Sequence, residues 1–249
     1  TTTGGGVAGH DPLAAGREAF DHRAWRDAYE QLSIAAERHD LAADDLESLA
    51  TAAYLTGDNE GAEQGVERLH HVLLDAGRVE KAARWAAWLA ILLLLRGQHA
   101  RGGGWLSRAH RILDDADVDG SARGYLLIPV ALRAIDAEHD PQRAHAPFEQ
   151  ALTIARRFDD RDLVVLSLLG SGQALVAFGE IDRGISLLDE VMVAVTTGDM
   201  SAILAGSPIA RSSSPAEQCS TTSVRTSGPT SSLGGATISR ACTPTKGSA

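Results

Sequence analysis

The sequence predicts an all-α solenoid, a row of antiparallel helix pairs stacked one on the next. Three observations predict it. Apolar residues recur at helical spacing from about residue 11 to residue 206. A helix–turn–helix text repeats along that stretch, its small residues at positions 28, 62, 102, 144 and 184. A single hairpin of this kind would leave apolar faces in water, so the copies must stack to cover them.

The unit is clearest over residues 85–113, WAAWLAILLLLRGQHARGGGWLSRAHRIL. Its first helix is apolar almost all round, as a helix buried between neighbours is. A turn at Arg96-Gly97-Gln98-His99 follows. In the second helix Trp105, Leu106, Ala109, Ile112 and Leu113 form one apolar stripe.

Residues 1–10 are rich in Gly and Thr and read as a frayed end. Asp11-Pro12 then supplies an N-cap and a proline at the first helical position. Gly57, Gly97 and Gly179 are turn glycines, each followed five residues later by a small residue, Ala62, Gly102 or Gly184. A fourth copy carries His139 at the turn and Ala144 after it; a degenerate first copy carries Arg23 and Ala28. Glycine just past a helix end takes the left-handed conformation that a C-cap needs. The small residue lets two helices approach closely. Apolar residues four and seven positions later (Val66 and Leu69, Leu106 and Ala109, Phe148 and Ala151, Leu188 and Val191) give the stripe that faces the next hairpin. The count is about five hairpins.

This text resembles the tetratricopeptide repeat, with Ala50 and Ala62, Ala90 and Gly102, and Gly172 and Gly184 at its paired small positions. The resemblance implies a right-handed superhelix with a concave groove lined by the first helices. It departs in pitch, which is mostly nearer 40 residues than 34, and in lacking the proline that often closes a repeat. The stretches GREAFDHRAWRDAYEQL, DLESLATAAYLTGD, GGWLSRAHRILDDA, RGYLLIPVAL and LLDEVMVAVTTGD also resemble the helical-repeat region of actinobacterial LuxR-type transcriptional regulators. That resemblance implies a sensing or partner-binding role in transcription control. It runs from about Asp11 to Gly206; the C-terminal helix-turn-helix of those proteins has no counterpart here.

Charge divides the chain. Residues 1–206 carry 19 Lys+Arg against 32 Asp+Glu, whereas residues 207–249 carry 4 against 1. An acidic body disfavours direct nucleic-acid binding. The longest apolar run, Trp85–Leu95, has 11 residues; a membrane span needs about 20, so a core helix is expected and no membrane contact. Both cysteines, Cys219 and Cys242, lie near the end, and no signal peptide is legible. A cytoplasmic protein is expected.

Residues 207–249 hold 11 Ser, 7 Thr and 4 Pro without an aromatic residue, which predicts a disordered tail. A sharper expectation is an out-of-frame product of a longer regulator, leaving the last hairpin uncapped, apolar surface exposed over residues 185–206, and a route to self-association.

No motif carries a reaction. Asp115-Ala-Asp117-Val-Asp119-Gly120 starts like a calcium loop, but its twelfth position is Leu126 rather than a bidentate Glu; a solvated helix connection is the better reading. The histidines, His70 and His71 among them, show no metal-ligand spacing and read as surface or helix-packing residues. Gly102-Gly103-Gly104 and Gly170-Ser171-Gly172 match neither phosphate loop nor nucleophile elbow and read as close helix packing. No metal and no cofactor are expected. Of Trp85, Trp88 and Trp105, most read as core, and one is a candidate groove anchor. Under the repeat geometry the groove carries Asp44, Glu47, Thr51, Tyr54, Arg84, Trp88, Arg133, Asp136 and Gln173. The function expected is a non-enzymatic scaffold that takes a protein, a peptide or a small effector in that groove; an enzyme with an unrecognised site is the remaining class.

Overall fold

A computed structural model describes residues 11–136, 140–197, 201 and 204. The expected frayed start, His139 at the fourth turn and the Ser/Thr-rich stretch from residue 207 lie outside them. The chain divides into a unit over residues 1–213 and a second over residues 214–249; everything below belongs to the first.

The described residues form ten helices and no strand: α1 (Pro12–Asp21), α2 (Trp25–Arg38), α3 (Ala43–Thr56), α4 (Asn59–Asp75), α5 (Val79–Leu95), α6 (His99–Asp115), α7 (Ala122–Asp136), α8 (Pro141–Arg157), α9 (Arg161–Phe178) and α10 (Ile181–Thr197). They pack as five pairs, α1 with α2 through α9 with α10. Second helices pack on the following first helix, α2 on α3, α4 on α5, α6 on α7 and α8 on α9. First helices also touch one another, α1 with α3, α5 with α7 and α7 with α9. The architecture is the all-α helical-repeat array that the sequence predicts.

Turns recur for a local reason. Gly57, Gly97 and Gly179 sit at φ +87°, +75° and +101°, and in each case the next residue's N–H reaches back to a carbonyl near the helix end, as Asp58 does to Ala53 at 2.9 Å. Arg23, Asp117 and Asp159 hold the same left-handed position without glycine, at φ +58°, +49° and +53°, which is why the first hairpin and two inter-hairpin turns lack the glycine signal. Side chains of Asp11, Asp58, Asp140 and Asp160 cap helix starts.

The small residues do what their spacing predicts. Ala28, Ala62 and Ala144 are at most 3% exposed. A Cβ on Gly184 would lie 2.8 Å from the Gly172 carbonyl oxygen, and one on Gly102 would lie 3.0 Å from the Ala90 carbonyl. Gly170 is filled by the Phe148 ring, 2.2 Å from a notional Cβ. Close packing does not extend to Gly103 and Gly104, whose notional Cβ atoms meet nothing within 4 Å; these two face open space, a correction to the reading of the triplet. In the second hairpin Ala50 also packs against Gly65, its Cβ 3.0 Å from that glycine's notional Cβ.

The core runs the length of the array, with α5 at its centre: every residue from Trp85 to Leu93 is buried. α9 is long and apolar enough to cross a membrane by length and composition, yet 67% of it is buried within the array, as a core helix is. In the calcium-loop lookalike, Asp119 is drawn into an ion pair with Arg157 at 2.8 Å, and Asp117 holds the left-handed turn position at φ +49°.

α10 has no following helix against it among the described residues. Ile181, Ile185, Met192 and Val195 recur at helical spacing along its open flank, 38–54% exposed. The expectation of apolar exposure over residues 185–206 needs one correction: Leu204 is fully buried in the core.

His70 is also fully buried, the helix-packing alternative of the two that the sequence left open. Its Nδ1 donates to the Ala82 carbonyl of α5 at 3.0 Å, and its Nε2 accepts from Arg108 Nε of α6 at 2.8 Å. Only the neutral ring satisfies both contacts, because Arg108 has no lone pair to offer. Trp105 stands edge-on to the same ring at 5.2 Å. Burial pushes the His70 pKa down, aided by the Arg108 and His71 charges and opposed by the Ala82 carbonyl.

Two outcomes are expected. Gly184→Ala destabilises the chain by about 1–3 kcal/mol through overpacking, whereas Gly104→Ala, in an open helical position, stabilises it by about 0.5–1 kcal/mol; urea denaturation of the two variants measures the contrast. For His70, the unfolded state binds the proton more tightly than the folded state. Its stabilising contribution is therefore complete above the ordinary histidine value of 6.5 and is lost as pH falls below it, with a slope of up to about 1.4 kcal/mol per pH unit. Stability measured from pH 7 to 5 should lose that component of its slope in His70→Phe; an unchanged slope contradicts the assignment.

Candidate functional site

Helical spacing places the site. On α3, Asp44, Glu47, Ser48 and Thr51 stand three, four and seven positions apart and share a face. On α5, Lys81, Arg84, Trp85 and Trp88 do the same, with Glu80 four positions before Arg84. These two faces, with Phe20 of α1, Ser121 before α7 and Ser201 beyond α10, enclose a cavity of about 650 Å³. Trp88 and Trp85 form its apolar wall while staying 2% and 5% exposed, so their rings are wedged into the core and present little more than an edge. Trp105 lies elsewhere, against His70.

The charged groups fall into two sets. At the outer rim Lys81 pairs with Glu47 and, at 3.4 Å, with Asp44, which Arg78 also approaches at 3.6 Å. Asp44 is mostly exposed, and pairs of this kind contribute only about 0–1 kcal/mol. Deeper in, Arg84 donates from Nη2 to Asp162 Oδ2 at 3.1 Å and places Nη1 3.7 Å from Asp160 Oδ2. Its guanidinium carbon lies 5.2 Å from the centroid of the Tyr125 ring. Tyr125 Oη donates to Asp160 Oδ1 at 3.0 Å, the same oxygen that caps α9 through the Leu163 N–H. Asp162 completes the set by accepting the Ser201 N–H on Oδ1 at 2.8 Å.

Burial pushes the Tyr125 phenol far above its ordinary value, with Asp160 and Asp162 adding to the effect and Arg84 opposing it. The phenol is therefore a permanent donor. Burial works against the Arg84 charge, but Tyr125, Asp160, Asp162 and Glu47 outweigh it and leave its pKa raised. Arg84 is thus a fixed cation that orients two carboxylates. With Arg84 kept charged and Tyr125 kept protonated, such a set is suited to binding and positioning. Among the described residues no group of three or more His, Cys, Asp or Glu is placed to hold a metal ion.

Of the groove residues predicted from sequence, Asp44, Glu47, Thr51, Arg84 and Trp88 line this cavity. Tyr54 is 9% exposed, packed in the core; Arg133 is exposed on α7 and Gln173 half-buried on α9; none of the three lines it. The Asp136 side chain lies outside the described residues. Sequence reasoning missed Glu80, Lys81 and Ser48, which helical spacing from Arg84 and Thr51 could have supplied. It also missed Tyr125, Asp160 and Asp162, which no local pattern reveals because they join the site from α7 and α9 through long-range packing.

No family model matches the chain, and no curated protein matches it significantly. Among solved structures it is similar to a kinesin-light-chain-like protein of Podosopora anserina with nearly identical TPR-like repeats, at 19% identity and a TM-score of 0.45, over 76% of this chain and 96% of that one. A singly substituted form of that protein gives 20% identity and a TM-score of 0.46, over 76% and 95%.

Proposed function

We propose that the chain is a binding scaffold whose concave cavity takes a segment of a partner protein. The observation that supports this reading is the cavity itself: an apolar wall of Trp85 and Trp88 beneath a rim of both charge signs, on the aligned faces of α3 and α5. Apolar wall and polar rim are the composition of a recognition patch. Its volume also suits a small effector, but the side chains arrive at helical intervals along two helices, which fits an elongated segment better than a compact molecule. The resemblance of the five sequence stretches extends the reading to the sensing or partner-binding region of a cytoplasmic LuxR-type transcriptional regulator, acting by interaction and not by catalysis.

The exposed flank of α10 favours a second reading, self-association through Ile181, Ile185, Met192 and Val195. The two readings use different surfaces and separate experimentally. For the first, peptides selected from a display library against the intact chain should weaken at least about tenfold, or about 1.4 kcal/mol, when Ser48→Trp fills the cavity; equal binding to both proteins, or no enrichment, counts against the groove. For the second, sedimentation equilibrium at micromolar concentrations should show a reversible dimer that Ile185→Glu abolishes; a monomeric parent chain removes this reading and leaves the first untouched.

A further inference from the structure

α10 ends at Thr197, yet four residues later the backbone is on the concave side of the array. The Ser201 N–H donates to Asp162 Oδ1 at 2.8 Å, and Ser201 lines the same cavity as Phe20, Thr51 and Trp88. Three residues on, Leu204 is fully buried and belongs to the hydrophobic core. A serine amide on a carboxylate is the kind of main-chain hydrogen bond by which grooves place peptide segments, and the leucine sealed in the core anchors the chain three residues later.

The receiving side is built for this contact. Asp162 is itself buried, and Arg84 holds its Oδ2, leaving Oδ1 turned toward the incoming amide. Hydrogen bonds to a charged, pre-oriented acceptor are the stronger kind. The Ser201 hydroxyl, in contrast, is buried with no hydrogen-bond partner among the described residues. The groove therefore reads the backbone at this position and not the serine side chain, so a segment with another small residue there fits equally well.

From these contacts we infer that Ser201, with Leu204 as its anchor in the core, is a built-in occupant of the amide-binding position that Asp162 offers at the edge of the groove. A partner segment enters by displacing it and offers its own backbone N–H to the Asp162 carboxylate. The identity of the partner rests on the groove reading above; the intramolecular contact does not.

The test uses the full chain, hydrogen exchange by mass spectrometry over residues 199–206, and a fluorescein-labelled synthetic peptide of residues 199–209 added in trans. In the parent chain the amides of this stretch should exchange at least about tenfold more slowly than an unstructured peptide. Leu204→Asp, which makes the buried side chain charged, and Ser201→Pro, which removes the N–H and fixes φ at that position, should each abolish that protection while residues 85–95 stay protected. Both variants should bind the trans peptide at least about tenfold more tightly than the parent chain, because its competitor has been released. Ser201→Pro keeps the test decisive if Leu204→Asp fails to fold. Exchange at the unstructured rate in the parent chain overturns the inference, and so does protection that is lost in Ser201→Pro without a gain in trans affinity. Neither outcome touches the Ser48→Trp comparison, which bears on partner binding alone.

Discussion

The array depends on how closely two helices of a hairpin can approach. At Gly172 and Gly184 the backbones of α9 and α10 come so near that a single methyl group would press on a carbonyl oxygen, and Gly102 against Ala90 repeats the arrangement in α5 and α6. Backbone against backbone fixes the spacing and the lean of each pair more firmly than interdigitated side chains could, because nothing there has rotamers to adjust. With the pair fixed, the stripe further along the second helix can reach the next hairpin, although Leu188 also packs on Gly172 within its own pair. Phe148 accordingly crosses to α9, where Gly170 leaves room for its ring. One hairpin thereby sets the seat of the next, and the first helices line up along one side of the array.

That alignment creates the groove, and Arg84 holds its floor. The residue projects from α5 but its contacts belong to Tyr125 of α7, the α9 cap Asp160, and Asp162 in the first turn of α9. It thus ties together three consecutive first helices by way of groups that are themselves bound elsewhere. Asp160 caps α9 and accepts from Tyr125 with one oxygen; Asp162 uses one oxygen for Arg84 and the other for Ser201. Removing a partner from such a network strands a largely desolvated charge, a cost of about 3–5 kcal/mol where burial is complete and less at the half-exposed Arg84. The rim pairs around Lys81 and Asp44 carry no comparable constraint: they are wetter and can exchange partners, which suits a surface that meets a ligand.

Most of the fold was legible because its rules are local. Helical periodicity, the turn glycines at 57, 97 and 179, and the small residues five positions later are each set within one hairpin, and the five pairs follow. What escaped were features with no sequence-local cause. Asp117 and Asp159 adopt the turn conformation that the sequence marks with glycine elsewhere. Gly103 and Gly104 adjoin a packed glycine but turn away from the contact. His70 sits beside His71 in the sequence, and only the tertiary contacts with Ala82 and Arg108 distinguish a sealed, neutral ring from its neighbour. At the site, the positions supplied by α3 and α5 were within reach of spacing arguments. Tyr54, on the same helix as Thr51, was misassigned to the groove because a rotation of one turn's remainder carries it into the core. The contributions of α7, α9 and Ser201 required the array to be assembled first.

The path of the chain after α10 decides which surfaces remain open. The exposed stripe of Ile181, Ile185, Met192 and Val195 lies where the earlier second helices receive the next hairpin, and a chain returning along α10 could have covered it. Instead Ser201 and Leu204 carry the backbone to Asp162 and into the core. The apolar group that is sealed is Leu204; the stripe is left in water. Four side chains, each no more than 54% exposed, present far less than the roughly 800 Å² per partner that a stable interface buries, so the flank by itself supports weak association at most. The groove offers a carboxylate aimed by Arg84, two tryptophan edges and a cavity of about 650 Å³, and these are the elements from which a selective site is made. The same few residues that close the array at its C-terminal side therefore also govern access to its concave face.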